Sequence, residues 1–202
     1  MRPLRAIVLI SALLAPLSPA LAQGLFAQVP YPEIADAEPG VDHSANEATL
    51  PEEYRHHPVF YRSEHPPGTI VVNTADRFLY LVMSGTTAMR YGVGVGRDGF
   101  QWGGIQRITR KQEWPDWTPP PEMIERQPYL PRFMAGGPGN PLGARAMYLG
   151  ATVYRIHGTN APETIGHAVS SGCFRLTNDE IIDLYARVPV GTKVVVRQKP
   201  EL

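Results

Sequence analysis

Short apolar runs separated by turn residues fill the chain from Pro58 onward, and this pattern predicts a fold built mostly of β-strands. Residues 69–73 and 77–82 are predicted as two strands joined by a turn at Ala75-Asp76. A third strand is predicted over residues 86–95 and ends in alternating glycines. Their spacing is not G-x-G-x-x-G, so they indicate a strand lying close to another backbone rather than a nucleotide loop.

One firm helix is predicted near the C terminus. Thr177 and Glu180 have the spacing of a capping box, and the apolar residues that follow have helical spacing. The helix is therefore expected over residues 178–187, ended by Pro189. Residues 192–197 then form a closing buried strand. Strands and helices do not alternate along the chain, so a parallel α/β fold is not expected.

Residues 111–145 are the most irregular part of the chain because proline and glycine recur throughout them. At most a short helix over residues 121–127 is expected there, opened by proline. Irregular segments of this length inside a domain are usually binding loops or lids. Trp114 and Trp117 would give such a loop rigid apolar surface.

The N terminus has the pattern of a cleavable signal. Two arginines precede an apolar stretch over residues 6–17, and small residues flank Leu21 at positions 20–22. We therefore expect a signal peptide over 1–22, the alternative being an uncleaved anchor, followed by a flexible tether over 23–57 and a folded domain over 58–198. No later segment is apolar enough to span a membrane, so the expected location is the periplasm of a cell with two membranes.

The charge balance argues against a nucleic-acid partner. The chain has 19 basic and 19 acidic residues, and removal of residues 1–22 takes away two arginines and no acid. No basic patch with interleaved aromatic residues offers phosphate contacts. The 21 prolines and 19 glycines are scattered rather than periodic, which favours a loop-rich β fold over a collagen-like one.

A single cysteine, Cys173, carries the clearest chemical signal. Exported proteins usually pair their cysteines as disulfides, so a retained lone thiol suggests a chemical role. His157, sixteen positions earlier, ends a stretch of strand character over residues 146–156 and is the leading base for that thiol. His167 is a competing base because it lies six residues before the cysteine. A zinc site formed by all three residues is a further alternative, although the usual paired spacings are missing.

Small and basic residues surround the thiol. Ser170, Ser171 and Gly172 would let the backbone approach a substrate and leave amide groups for a developing oxyanion. Arg175 would stabilise a thiolate or bind a substrate carboxylate.

These strings resemble a known family. His157-Gly158-Thr159-Asn160 and the segment 169–176, Val-Ser-Ser-Gly-Cys-Phe-Arg-Leu, are similar to the signature of the L,D-transpeptidases of the YkuD type, over roughly residues 67–198. The resemblance implies a β-sandwich of mixed sheets, with Cys173 as nucleophile, His157 as base and the Gly158 carbonyl orienting the imidazole. Ser171 stands where many members have histidine.

The resemblance further implies a cysteine-dependent acyltransferase of peptidoglycan that needs no cofactor. Its thiolate would attack the bond between the diamino acid and D-alanine of a tetrapeptide stem, and an amine would accept the acyl group. Arg175, Trp117 and Tyr148 would contact the stem. A second stem peptide or an outer-membrane protein would serve as acceptor. Two alternatives stay open: an L,D-carboxypeptidase or hydrolase that uses water, and a non-catalytic wall-binding module.

Overall fold

Strands form most of the regular structure in residues 50–199, the part of the chain that this computed structural model describes. The mostly β fold with one main helix near the C terminus is confirmed. In chain order the elements are β1 (His57–Phe60), β2 (Ile70–Asn73), β3 (Phe78–Val82), β4 (Thr87–Gly92), β5 (Val95–Gly96), β6 (Gly104–Glu113), α1 (Pro121–Arg126), β7 (Arg145–Leu149), β8 (Arg155–His157), β9 (Ala168–Ser170), β10 (Phe174–Arg175), α2 (Asn178–Arg187) and β11 (Lys193–Arg197).

Nine of these strands join one mixed sheet in the order β1-β4-β3-β2-β11-β6-β7-β8-β10. The β11–β2 and β10–β8 pairs are parallel and the others are antiparallel. The long strand β6 pairs with β11 through its first half and with β7 through its second, and the register shifts between Ile108 and Arg110. Because such an irregularity bends a strand, β6 connects two differently oriented halves of the sheet. Strands β5 and β9 form a separate parallel pair.

The core explains why β2 and β11 are continuous apolar runs. Ile70 and Val72 on β2 enter the main core, whereas Val71 faces a second apolar cluster that includes Tyr61. Side chains alternate between the faces of a strand, so a strand that is buried on both faces must be apolar throughout. Val195 on β11 follows the same rule, since it packs in the second cluster while its neighbours enter the first.

Helix α2 has the predicted bounds. The Thr177 hydroxyl accepts a hydrogen bond from the Glu180 amide at 3.4 Å, which caps the first turn as the sequence indicates. Ile181 and Leu184 are fully buried and pack in the main core. The short helix predicted over residues 121–127 is also found, as α1.

Two parts of the chain differ from the prediction. Strand β6 was not expected, and it includes residues 111–113 of the segment predicted to be irregular. Most of its side chains are exposed or half-buried, so its sequence lacks the apolar alternation by which strands are identified. The single strand expected over 146–156 is instead two antiparallel strands, β7 and β8, separated by a turn in which Gly150 has φ +57°.

The folded domain begins before the predicted boundary at residue 58. Leu50 is buried, residues 52–54 form a 3₁₀ turn, and Tyr54 packs against Gly92 and Gly166. The predicted signal peptide and the tether up to residue 49 lie outside the described residues. Neither helix within residues 50–199 has the length and apolar character that crossing a membrane requires.

A buried polar cluster ties α2 to β4. The Tyr91 hydroxyl donates a 2.6 Å hydrogen bond to Asp183, which also forms an ion pair with Arg187 at 2.8 Å. Burial raises the pKa of Asp183, while the Tyr91 hydrogen bond and the charge of His56 lower it. The hydroxyl therefore helps to keep a buried carboxylate ionised.

We predict that Tyr91→Phe lowers the free energy of unfolding by about 1–3 kcal/mol, because Asp183 then loses a buried hydrogen bond. Urea denaturation monitored by circular dichroism measures this change. Tyr129→Phe is the matched control, since Tyr129 is 80% exposed. An equal effect of the two substitutions would contradict the stabilising role of the cluster.

Candidate active site

The parallel pairing of β8 with β10 brings Cys173 and His157 to the same face of the sheet. Arg175 pairs with His157, and Phe174 pairs with Ile156. Phe174 and Ile156 are buried in the main core. Because side chains alternate along extended chain, Arg175 on β10 and Cys173 just before that strand face away from the core, as His157 does on β8.

This face opens into a cleft of about 460 Å³. Of the residues singled out in the sequence, the cleft is lined by Trp117, His157, Ser170, Ser171, Cys173 and Arg175. One wall comes from the segment predicted to be a binding loop, since α1 contributes Met123 and Arg126. A pair of hydrogen bonds between the backbones of Trp117 and Met134 closes that segment on itself. Trp114 does not line the cleft.

His157 is held in one tautomer. Its Nδ1 lies 2.5 Å from the Gly158 carbonyl, and a carbonyl only accepts hydrogen bonds, so Nδ1 carries the hydrogen. Nε2 then presents a lone pair, as a general base requires. Burial, followed by the charge of Arg175, lowers the pKa of His157 to about 3, against a smaller raising effect of the Gly158 bond. The imidazole is therefore neutral at pH 7.

Gly158 is a glycine because α2 lies directly behind it. A Cβ at this position would approach the Asn178 side chain to 2.5 Å and the Ala144 amide to 3.1 Å. Asn178, the first residue of α2, accepts a 2.9 Å hydrogen bond from that amide. The start of α2 thus fixes the carbonyl that orients His157.

The Cys173 thiol lies in a partly desolvated position between two arginines. Its Sγ donates a hydrogen bond to the Val153 carbonyl at 3.9 Å, and the thiol hydrogen must leave this oxygen before it can pass to His157. Burial raises the pKa of the thiol, whereas the charge and hydrogen bonding of Arg155 and the charge of Arg175 lower it. The thiol and the imidazole, which line the same cleft, are consequently both neutral at rest.

The loop that carries the thiol is held by its own hydrogen bonds. The Ser170 hydroxyl donates to the Cys173 carbonyl at 2.6 Å and accepts from the Gly172 amide at 3.1 Å. The Trp102 indole donates to the Gly172 carbonyl at 2.7 Å. The Ser170 hydroxyl therefore occupies the Gly172 amide, which the sequence analysis offered to an oxyanion. Within residues 50–199, no hydrogen bond uses the amides of Ser171 or Cys173, so these are the available donors.

Tyr148 lies beside the site rather than in it. Its ring has Arg110 at 3.7 Å and Arg155 at 5.2 Å from the centroid, and it does not line the cleft. Tyr148 pairs with Arg155 across β7 and β8, and its ring lies against that guanidinium. Its predicted contact with the stem stays a prediction. Sequence analysis missed Arg155, although a strand ending in His157 places the residue two positions earlier on the same face.

The competing base and the metal site receive no structural support. His167 is exposed and does not line the cleft. Among residues 50–199, no three histidine, cysteine, aspartate or glutamate side chains are grouped so that they would hold a metal ion. A zinc site of His157, His167 and Cys173 is therefore not formed.

Comparison with known proteins agrees with this geometry. Residues 67–196 match the YkuD family model, described as the L,D-transpeptidase catalytic domain. The chain belongs to this family. A relative in Escherichia coli K12, the probable L,D-transpeptidase ErfK/SrfK, is 43% identical over 140 residues, which are 65% of this chain and 44% of that protein. The chain thus spans less than half the length of this relative.

Two solved structures extend the comparison. L,D-transpeptidase 3 of Mycobacterium tuberculosis is 13% identical, with a TM-score of 0.52 over 64% of this chain and 60% of that one, and supports the family fold. A Brucella melitensis structure is 48% identical, with a TM-score of 0.50 over 76% of this chain and 99% of that one, and is named a probable carnitine operon oxidoreductase. In the present chain the alternating glycines after β4 do not form a dinucleotide-binding loop, because Gly94 exchanges two backbone hydrogen bonds with Arg175.

Burial raises the pKa of the Cys173 thiol, and the charge of Arg155 is the largest effect that lowers it. We therefore predict that Arg155→Gln raises this pKa. The pH dependence of the rate of iodoacetamide alkylation measures this pKa. Arg155→Lys, which keeps the charge, should give a smaller shift. Arg110→Gln is the control, since Arg110 lies on Tyr148 but does not line the cleft. Identical profiles for Arg155→Gln and the wild type would exclude this role.

A second prediction concerns stability below neutral pH. Because the pKa of His157 is about 3 in the fold and near 6.5 when unfolded, only the unfolded chain takes up this proton between those values. Stability should therefore fall as the pH falls through that window, by about 2–3 kcal/mol between pH 7 and pH 4.5 from this residue. Urea denaturation at both pH values should show a smaller loss for His157→Gln. The same loss in both proteins would refute the buried neutral imidazole.

Proposed function

We propose that this protein is a cysteine-dependent L,D-transpeptidase of peptidoglycan. The observation that carries the proposal is the single face on which β8 and β10 present Cys173 and His157 to a cleft that also contains Arg175. Membership of the L,D-transpeptidase catalytic-domain family supports the same reaction. The substrate is a tetrapeptide stem, cut between its diamino acid and the terminal D-alanine.

The first half-reaction forms a thioester. His157 Nε2 takes the proton of the Cys173 thiol as the sulfur attacks the carbonyl carbon at the L-centre of the diamino acid. The amides of Ser171 and Cys173 bind the resulting oxyanion. The carbon–nitrogen bond then breaks, and the imidazolium gives its proton to the nitrogen of the leaving D-alanine. Since burial lowers the pKa of His157, that imidazolium is a strong acid and transfers the proton readily.

The second half-reaction transfers the acyl group. An amine attacks the thioester and loses a proton to His157, the carbon–sulfur bond breaks, and the thiolate recovers the proton. The Gly158 carbonyl keeps the imidazole oriented during both halves, in the position that a carboxylate occupies in a serine triad. Ser170 positions the nucleophile through its two hydrogen bonds, and Arg175 and Trp117 contact the stem.

The cellular setting is part of the proposal. Residues 1–22 are a cleaved signal peptide, the predicted tether over residues 23–57 follows it, and the enzyme acts in the periplasm. Its role there is peptidoglycan biosynthesis, which contributes to cell shape. The acceptor is the side-chain amine of a second stem peptide, and an amine of an outer-membrane protein is the alternative acceptor.

The test is incubation of the purified protein with a disaccharide-tetrapeptide, followed by mass spectrometry. We expect free D-alanine and cross-linked dimers from the wild type, and a loss of at least about a thousandfold in rate for Cys173→Ala, since no other thiol is present. Ser84→Ala, purified and assayed in the same way, is the control and should retain the wild-type rate, because Ser84 does not line the cleft. The same products from Cys173→Ala would overturn the proposal. D-alanine release without dimers, even with added amine, would indicate a hydrolase instead.

A further inference from the structure

The cleft is much more basic than the chain as a whole. Four arginines line it, together with a single acidic residue, Glu122. Within residues 50–199, none of these arginines is among the residues that form ion pairs with a carboxylate. The charges of Arg155 and Arg175 act on the thiol, and these two are named the inner pair. Arg97 and Arg126 are named the outer pair, although the charge of Arg97 also acts on Arg175. The mechanism above uses the inner pair and leaves the outer pair unexplained.

The outer pair is organised by one aromatic ring. The guanidinium carbon of Arg97 lies 4.3 Å from the centroid of Phe100, and that of Arg126 lies 4.7 Å from the same centroid. The two carbons are therefore no more than about 9 Å apart. Arg97 follows β5, whereas Arg126 ends α1, so two separate parts of the chain bring the charges together.

Half of this arrangement is fixed relative to the nucleophile. The Arg97 amide donates a 3.1 Å hydrogen bond to the carbonyl of Ser170, the residue whose hydroxyl holds the thiol loop. The Phe100 amide donates to the Arg97 carbonyl at 2.9 Å, which closes a tight turn. The ring and Arg97 thus have a set position with respect to Cys173, while Arg126 is contributed by the last residue of α1.

Electrostatics favours an anion at this place. Two guanidinium groups within about 9 Å of each other repel. Their attraction to the Phe100 ring offsets only part of that repulsion. A carboxylate held by both would remove the repulsion and accept charge-assisted hydrogen bonds from planar groups that match it. A neutral peptide would gain neither effect.

We propose that Arg97, Phe100 and Arg126 form a carboxylate-binding clip for the acyl-donor peptide, separate from the arginines at the thiol. The inference rests on the proposed function for the identity of the peptide. The clip binds a carboxylate that takes no part in the reaction. A bound stem would thereby connect α1 to the turn that follows β5.

The experiment measures binding separately from catalysis. Calorimetry with Cys173→Ala protein compares the tetrapeptide stem with analogues in which each carboxylate is converted to an amide in turn. The analogue in which the clip-bound carboxylate is an amide should bind about tenfold more weakly than the unmodified stem. This is the loss expected for charged hydrogen bonds in a partly exposed site. Adding Arg97→Gln or Arg126→Gln should weaken the unmodified stem by a similar factor and abolish discrimination against that analogue. Binding should also weaken as salt is added.

Arg132→Gln is the matched control, because Arg132 is exposed on the same segment as α1 but does not line the cleft. It should leave both affinity and discrimination unchanged, and thermal melts of each variant check the fold. Equal binding of all amidated analogues would overturn the clip, as would discrimination that survives both arginine substitutions. D-alanine release by the wild type would still test the reaction, so failure of the clip and failure of the proposed function are distinguishable.

Discussion

The register between β8 and β10 is the constraint on which the rest of the site depends. With Phe174 opposite Ile156, the apolar side chains of both strands enter the core and the reactive side chains face the cleft. A shift of one residue would exchange the two sets, because successive side chains of a strand point to opposite faces. The main core therefore selects the register that the chemistry needs. Buried apolar packing thus positions the thiol and the imidazole.

Burial at this face shifts the pKa values of Cys173 and His157 in opposite directions, and both shifts favour the neutral form of the side chain. The pKa of Cys173 is raised and that of His157 is lowered. Separating charge between them is then costly until a substrate carbonyl accepts electron density from the sulfur. Arg155 and Arg175 reduce the cost of the thiolate and increase that of the imidazolium. The arginines thus favour negative charge on the reacting atoms, where the transition state of acyl transfer needs it.

The sequence identified the elements whose signals are local. The capping box at Thr177 predicted the start of α2, and the strings around His157 and Cys173 predicted the family. Strand β6 was missed because its residues are mostly solvated and carry no apolar period. The hydrogen bond of the Gly172 amide and the contact of Tyr148 with Arg155 could not be predicted either. They depend on a hydroxyl two residues away and on pairing between two strands, which only the folded geometry determines.

Trp102 connects an aromatic pair to the loop that carries Cys173. Its indole stacks on Tyr154 at 4.6 Å between centroids and donates to the carbonyl immediately before the nucleophile. Indole fluorescence responds to both contacts, since a neighbouring phenol and a strongly bonded carbonyl change the energy of the excited state. The Trp102 indole is therefore placed to respond to any change at the Gly172 carbonyl, next to Cys173 in the chain.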